Sequence, residues 1–205
     1  MKYIDLSHEF TGTMPTYPGD PEVELKQIAT FDEDAYNDHQ LSTPLHVGTH
    51  MDAPLHMIKD GAYMSDIPLE KFFGRGVLLD ARGKDKIDAE LFENVELKEG
   101  DVVFVTTGFS DKYRDPSYFT GRPAFTEVFA ERLIEAKIKM VGMDMPSPDY
   151  EPFPVHRMLL GKGILILENL TNLKELVDVK NFEVIALPIK LRADSAFARV
   201  VARIQ

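Results

Sequence analysis

The sequence predicts an α/β fold. Two features of its 205 residues support this prediction. Apolar runs of strand length recur in the later part of the chain, at 76–80, 101–106, 139–143, 163–167 and 184–187. Between the second and third of these runs, Phe129, Leu133 and Ala136 recur at helical spacing. Strands that alternate with helical segments are typical of a sheet covered by helices.

The remaining elements can be placed in order along the chain. A short first strand is expected at 3–6, followed by the proline- and glycine-rich loop TGTMPTYPGDP at 11–21. Polar and apolar residues then alternate, which predicts a second strand over 22–28 and a β-rich first half. A helix is expected over 126–137 with Thr126 as its N-cap, and a shorter one over 155–160 that ends at Gly161.

Composition limits both the architecture and the partners. The 13 prolines and 13 glycines are spread along the chain, so we expect one domain over residues 1–205. The net charge of −11 argues against nucleic acid as a partner. The chain has no cysteine, its first residues lack the apolar run of a signal peptide, and no stretch is apolar enough to span a membrane. We therefore expect a cytoplasmic protein that does not bind membranes.

The segment HVGTHMDAPLH at 46–56 contains three of the six histidines of the chain and one aspartate. In an extended strand, His46, His50, Asp52 and His56 would share one face, but His46 and His50 would lie roughly 13 Å apart. The backbone must bend between them if both are to bind one ion. Gly48 allows such a bend, so we expect a strand end that turns sharply.

Two histidines and an aspartate are ligands that suit Zn²⁺ or Mn²⁺. His46, His50 and Asp52 would leave one coordination position for water, which is typical of a catalytic metal. The metal-bound hydroxide would attack a carbonyl carbon, and His56 would act as the acid/base that moves the proton. The other interpretation is that these histidines make ordinary hydrogen bonds, which is also how we interpret His8 and His39.

Polar residues follow three of the predicted strands, namely Thr107, Asp144 and Glu168. Sites in α/β sheets gather at the carboxyl ends of strands, but turns are polar in any case. Glu168 is the most informative of the three, because it continues a buried apolar run where an unpaired carboxylate would be costly.

The pattern H-x-G-T-H-x-D-x-P-x-H resembles the signature of the cyclase family of metal-dependent hydrolases, which includes bacterial kynurenine formamidases. The resemblance continues along the chain at 5–7, 15–20, 107–108, 141–147, 153–156 and 168–169. It implies that His156 and Glu168 join the motif residues to hold two zinc ions, and that His56 is the acid/base. It also implies a single α/β domain of the swivelling β/β/α type, with a mixed sheet and flanking helices, that assembles as a homodimer or homotetramer.

The substrate implied by the resemblance is N-formylkynurenine, which would yield kynurenine and formate. Two departures from the family bear on it: Thr106 stands where many members have arginine, and the chain has no tryptophan. Tyr17, Phe153 or Phe10 could supply the contact to an aromatic ring instead. Other members open isatin with a single manganese ion, so a cyclic-amide or lactone hydrolase is the alternative. A metal- or ligand-binding module without catalysis is the third hypothesis.

Overall fold

The computed structural model describes residues 1–204, whose main feature is an eight-stranded mixed sheet. The strands are β1 (Lys2–Asp5), β2 (Glu24–Ala29), β3 (Asp38–Ser42), β4 (His50–Asp52), β5 (Phe73–Asp80), β6 (Lys86–Ile87), β7 (Val102–Thr106), β8 (Ala124–Phe125), β9 (Met140–Met143), β10 (Leu165–Glu168), β11 (Phe182–Pro188) and β12 (Ser195–Ile204). The α-helices are α1 (Phe31–Asp34), α2 (Glu127–Glu135) and α3 (Pro154–Leu160). Short 3₁₀ helices cover Pro54–His56, Met64–Asp66, Leu69–Phe72, Ala89–Phe92, Phe109–Lys112 and Leu173–Leu176.

The main sheet closes on itself. Its strand order is β1-β12-β11-β5-β7-β9-β10-β4, and β4 also pairs with β12. The neighbours β5, β7, β9 and β10 are parallel, whereas β4, β11 and β12 pair with their neighbours in antiparallel fashion. The same edge of β12 pairs first with β4, at Ser195 to Phe197, and then with β1, at Val201 to Ile204. The sheet is therefore mixed and barrel-like.

The predicted fold class, an α/β protein with a mixed sheet and flanking helices, is confirmed. Each of the five apolar runs forms a strand. Helix α2 begins after Thr126, whose hydroxyl oxygen accepts a hydrogen bond from the Phe129 N–H at 3.1 Å, and α3 ends at Gly161. Closure of the sheet was not predicted, because it depends on β12. Its inward positions are mostly alanines, which have little preference for strands, so the apolar signal is weak there.

The central strands are covered on both faces. Val103 of β7 packs in one core with Phe129 and Leu133 of α2 and with Leu159 of α3. The next residue along the strand, Phe104, belongs to a second core on the opposite face. Burial on both faces explains why β7 is a continuous apolar run.

The hairpin formed by β2 and β3 stands apart from the main sheet. Its two strands pair with each other in a separate two-stranded sheet, and β3 is exposed along its whole length. Among the described residues 1–204, the helices are all too short or too polar to cross a bilayer.

Candidate metal centre

The histidine-rich segment bends at the glycine, as the sequence predicts. Gly48 has a φ of 63°, in the left-handed region that glycine adopts without strain. The strand begins after this bend, as β4, and Pro54 then starts a 3₁₀ helix that contains His56. Because β4 pairs with β10, His50 lies directly opposite Glu168. Sheet pairing therefore brings together two residues that are far apart in the sequence.

In the predicted open site, the two histidines both approach one carboxylate oxygen of the aspartate. Asp52 Oδ1 lies 3.1 Å from Nδ1 of His46 and 3.5 Å from Nε2 of His50. His56 also comes close, so ligand atoms of His46, Asp52 and His56 all lie within 4.8 Å of one another. His46, Asp52 and His56 form the first group of candidate ligands.

The second group is built around Glu168. Its Oε2 lies 3.3 Å from Nε2 of His50, and its Oε1 lies 3.3 Å from Nε2 of His156. Ligand atoms of His50, Asp52 and Glu168 fall within 4.8 Å of one another. Asp52 therefore belongs to both groups and lies between them.

Each of the three candidate ligand histidines is held through its outer ring nitrogen. Nδ1 of His50 donates to the Gly48 carbonyl oxygen at 2.8 Å, and Nδ1 of His156 donates to Asp149 Oδ1 at 2.5 Å. Nε2 of His46 donates to Asp194 Oδ2 at 2.9 Å. In each ring the other nitrogen faces the carboxylates, which is the arrangement typical of histidines that bind a metal.

The buried atoms at the centre of the site lack hydrogen-bond partners. Among residues 1–204 these atoms include Nε2 of His50, both carboxylate oxygens of Asp52 and Oε1 of Glu168. Leaving such groups unsatisfied costs about 1–3 kcal/mol each, and more if they are charged. Divalent cations of the Zn²⁺ or Mn²⁺ type would satisfy these atoms, so the residues present fit a metal site.

The electrostatics of the site show where protons sit when no ion is bound. Burial alone would lower the pKa of His46, but the carboxylates of Asp52 and Asp194 outweigh it and raise the pKa to about 10. The pKa of His156 is likewise raised to about 10, because its hydrogen bond to Asp149 and the negative charge of the nearby Glu168 outweigh its burial. Both rings are thus cations at neutral pH, and a metal ion would replace their inner protons.

The central carboxylates are ionised. Burial would raise the pKa of Asp52, but the positive charge of the adjacent His46 ring holds that pKa well below the usual range. Burial and the nearby Asp52 would likewise raise the pKa of Glu168, yet the close His156 and His50 rings keep it low. The site therefore offers two buried negative charges to a cation.

A cavity of about 290 Å³ opens beside these groups. His46, His56, His156 and Glu168 line its floor. Of the three aromatic residues suggested by the sequence, Tyr17 and Phe153 line the cavity. Phe10 instead packs against Phe197, with 4.9 Å between the ring centroids.

Phe119 is an aromatic wall residue that the sequence did not single out. Its ring makes an edge contact with that of Tyr17, which also lines the cavity, with the centroids 5.6 Å apart. Phe153 precedes α3 with a φ of 60°, a strained value for a bulky residue, and its ring stands 5.6 Å from that of His156. The cavity thus has flat apolar sides and a polar floor.

The other polar strand ends have structural contacts. Asp144 accepts hydrogen bonds from the backbone N–H groups of Thr107 and Gly108, both at 2.8 Å. Thr106 is buried, and its hydroxyl points to Asp144 at 3.4 Å. These contacts tie the ends of β7 and β9 together, which agrees with the interpretation of these residues as turn-forming.

Two aspartates that contact the candidate ligands were missed. Asp149 accepts from His156 and, through Oδ2, from the Val155 N–H at 2.7 Å, so it orients the ring and the start of α3. Asp194 precedes β12, whose position was not predicted. Each is one of many acidic residues in the sequence, and only the chain path places it beside a histidine.

Comparisons with known proteins show the family and the fold of the chain. The sequence profile described as "Putative cyclase" matches residues 4–150. The chain is 31% identical to the kynurenine formamidase of Salinibacter ruber, over 99% of this chain and 98% of that protein.

Two solved structures are similar over nearly the whole chain. The structure of a potential metal-dependent hydrolase with cyclase activity has a TM-score of 0.82 and 29% identity, with 100% of this chain and 98% of that chain covered. Isatin hydrolase A from Labrenzia aggregata, bound to benzyl benzoate, has a TM-score of 0.87 and 26% identity, with 99% and 93% covered.

Proposed function

The chain belongs to the cyclase family of hydrolases, and on that premise we propose that it cleaves a carbon–nitrogen amide bond with the help of bound metal. The substrate we propose is N-formylkynurenine, which would be hydrolysed to kynurenine and formate. The observation that carries the proposal is the set of unpartnered, buried ligand atoms on the floor of an aromatic-sided cavity. Similarity to kynurenine formamidases supports the choice of substrate.

In this proposal one ion would be held beside His46 and Asp52 and a second beside His50, Asp52 and Glu168, while His56 remains available for proton transfer. His46 and His50 would bind through the nitrogens that face Asp52, and His156 would complete the second group beside Glu168. Zn²⁺ and Mn²⁺ both suit this donor set. Such an ion polarises a carbonyl oxygen and lowers the pKa of water toward neutrality.

We assign proton transfer to His56. Its ring lines the cavity, and burial lowers the pKa of this histidine, so the ring is neutral near pH 7 and able to accept a proton. Nδ1 lies 3.3 Å from Asp194, which leaves Nε2 for the reaction. There Nε2 would take a proton from the attacking water and return it to the nitrogen that leaves as the amine.

The cavity walls would hold the ring of the substrate. Tyr17, Phe119 and Phe153 present aromatic faces and edges, and such pairs contribute about 0.5–1.5 kcal/mol beyond the area they bury. The formamide would then lie on the polar floor beside His56. These contacts to the substrate ring would place the scissile bond beside His56, and the chain would not need a tryptophan to hold the ring.

A second candidate reaction is the opening of a cyclic amide or lactone. Similarity to an isatin hydrolase favours it, since isatin is a flat bicyclic amide that would fit the same walls. A binding module without catalysis is the third candidate. It would not require a neutral histidine beside the candidate ligands.

Formate release from N-formyl-L-kynurenine, measured with and without a chelator, tests the proposal. We expect turnover that the chelator abolishes and that Zn²⁺ or Mn²⁺ restores. Turnover that resists the chelator would contradict the role of the metal. Hydrolysis of isatin or a lactone without formate release would favour the second reaction, and metal binding without any turnover would favour the binding module.

We also propose that the chain forms a homodimer or homotetramer. The β2–β3 hairpin exposes Leu25, Ile28, Phe31, Tyr36 and Leu41, and association with a second copy would cover this apolar surface. Light scattering of the purified protein would give its mass in solution. A monomer at micromolar concentration would contradict this proposal.

A further inference from the structure

One carboxylate oxygen, Oδ2 of Asp194, contacts two histidines of the site at once. It lies 2.9 Å from Nε2 of His46 and 3.3 Å from Nδ1 of His56. The two rings are neighbours, with centroids 4.1 Å apart and planes inclined at 35°. Asp194 therefore contacts both a candidate metal ligand and the candidate acid/base.

The backbone, rather than the side chain, fixes where Asp194 lies. Its carbonyl oxygen accepts from the Ala53 N–H at 2.9 Å, and that of Ala193 accepts from the Met64 N–H at 2.9 Å. The next residue, Ser195, pairs with Asp52 across β12 and β4. Among residues 1–204, the side chains that hydrogen-bond the Asp194 carboxylate are the two histidines. The backbone therefore holds this segment in place, and the Asp194 carboxylate can be replaced without loss of the fold.

The contact decides which nitrogen of His56 carries the proton. An ionised carboxylate only accepts hydrogen bonds, so Nδ1 of His56 must be the donor. In the neutral ring the other nitrogen, Nε2, then has a lone pair and can act as a base. Without an acceptor beside Nδ1, the tautomer with the proton on Nε2 would compete, and that tautomer cannot take a proton at the reacting nitrogen.

The same oxygen acts on His46. By accepting from Nε2 it leaves Nδ1 directed at Asp52, 3.1 Å away. Partners of this kind on the outer nitrogen of a ligand histidine typically change metal affinity or activity by 10- to 100-fold.

We propose that Asp194 is a positioning residue that fixes the tautomer of His56 and the orientation of His46 through a single shared carboxylate oxygen. The inference rests on the proposed function in one respect: the fixed tautomer matters for turnover only if His56 transfers the proton. The tautomer itself can be observed without any substrate.

The test is a long-range ¹H–¹⁵N correlation spectrum of the metal-free, full-length protein labelled at histidine, recorded at pH 8. We expect His56 to show a protonated Nδ1 and an unprotonated Nε2. Asp194→Ala should move the proton toward Nε2, and so should Asp194→Leu, which keeps the bulk but has no acceptor. The control is Asp66→Ala, which removes another exposed carboxylate near this loop and should leave the tautomer unchanged. Circular dichroism would verify that each variant is folded.

The zinc-loaded variants provide the second readout. We expect Asp194→Ala to lower kcat about 10- to 100-fold at saturating zinc while KM changes little, and to raise the zinc concentration needed for saturation. Wild-type His56 with its proton on Nε2, or a tautomer that is the same in Asp194→Ala and wild type, would overturn the proposal. If the tautomer shifts as expected but no amide is hydrolysed, the positioning role stands and the proposed function fails.

Discussion

Replacing Asp52 with asparagine removes the one residue that both candidate ligand groups share. Asparagine has nearly the same volume, so the completely buried position between β10 and β12 should still pack. The substitution removes the negative charge that lies between the two candidate ion positions. We therefore expect Asp52→Asn to fold but to lose both ions rather than one.

The size of the effect follows from ligand linkage. An ion at 100 times its dissociation constant stabilises the folded state by about 2.7 kcal/mol per site. For a chain of this length each kcal/mol raises Tm by roughly 2–4 °C, so one site corresponds to about 5–11 °C and two independent sites to about twice that. In Asp52→Asn the increase on adding zinc should be close to zero.

The assay is differential scanning calorimetry across a zinc titration, with the bound metal counted by mass spectrometry. Asp101→Asn is the matched control, because Asp101 is also a buried aspartate but pairs with Arg75, outside the site. This control should lower the Tm of the metal-free protein and keep the full zinc-induced increase. If Asp52→Asn binds as much zinc as wild type and gains the same Tm, a shared ligand at this position is refuted.

Three further predictions concern catalysis, pH and packing. In His56→Ala the metal content, measured by mass spectrometry, should be unchanged while kcat falls by a factor of roughly 10² to 10⁴. Loss of the metal in this variant would show that His56 is a ligand instead. Burial lowers the pKa of His8 to about 4, so the stability this residue contributes is complete above its unfolded pKa of about 6.5 and is lost as pH falls toward 4. His8→Phe can still stack on Tyr113 but cannot bind a proton. Between pH 7.5 and pH 5 its unfolding free energy, measured by urea unfolding, should therefore fall by about 1 kcal/mol less than that of wild type, after allowance for partial exposure of the ring. Equal decreases in the two proteins would contradict this. Gly142→Ala should lower the unfolding free energy by about 1–3 kcal/mol, because the added methyl group would lie 2.8 Å from the Phe104 ring. An unchanged midpoint in urea unfolding would show that the core rearranges to accept the methyl group, and would contradict this prediction.

The sequence predicts the parts of the site that are local. The bend at Gly48 follows from the geometry of a strand, and the burial of Glu168 follows from the apolar run before it. It does not predict Asp149 or Asp194 as partners of the histidines. Acidic residues are frequent in this chain, and only the path of the folded chain shows which of them lie beside a histidine. The sequence also did not predict closure of the sheet, because Ala198 and Ala202 give β12 a weak apolar signal although both are buried.

The double pairing of β4 has a consequence for biosynthesis. His50 and Asp52 emerge from the ribosome early, but β10 and β12, which flank them, follow only after more than half of the chain has been added. Until then the histidine-rich segment has no partner strand, and contacts this distant in sequence close slowly because of their loop entropy. A nascent or truncated chain that ends before β10 would present isolated histidines that bind metal weakly. Tight metal binding would thus require that synthesis has passed β10, which carries Glu168 and completes the set of candidate ligands.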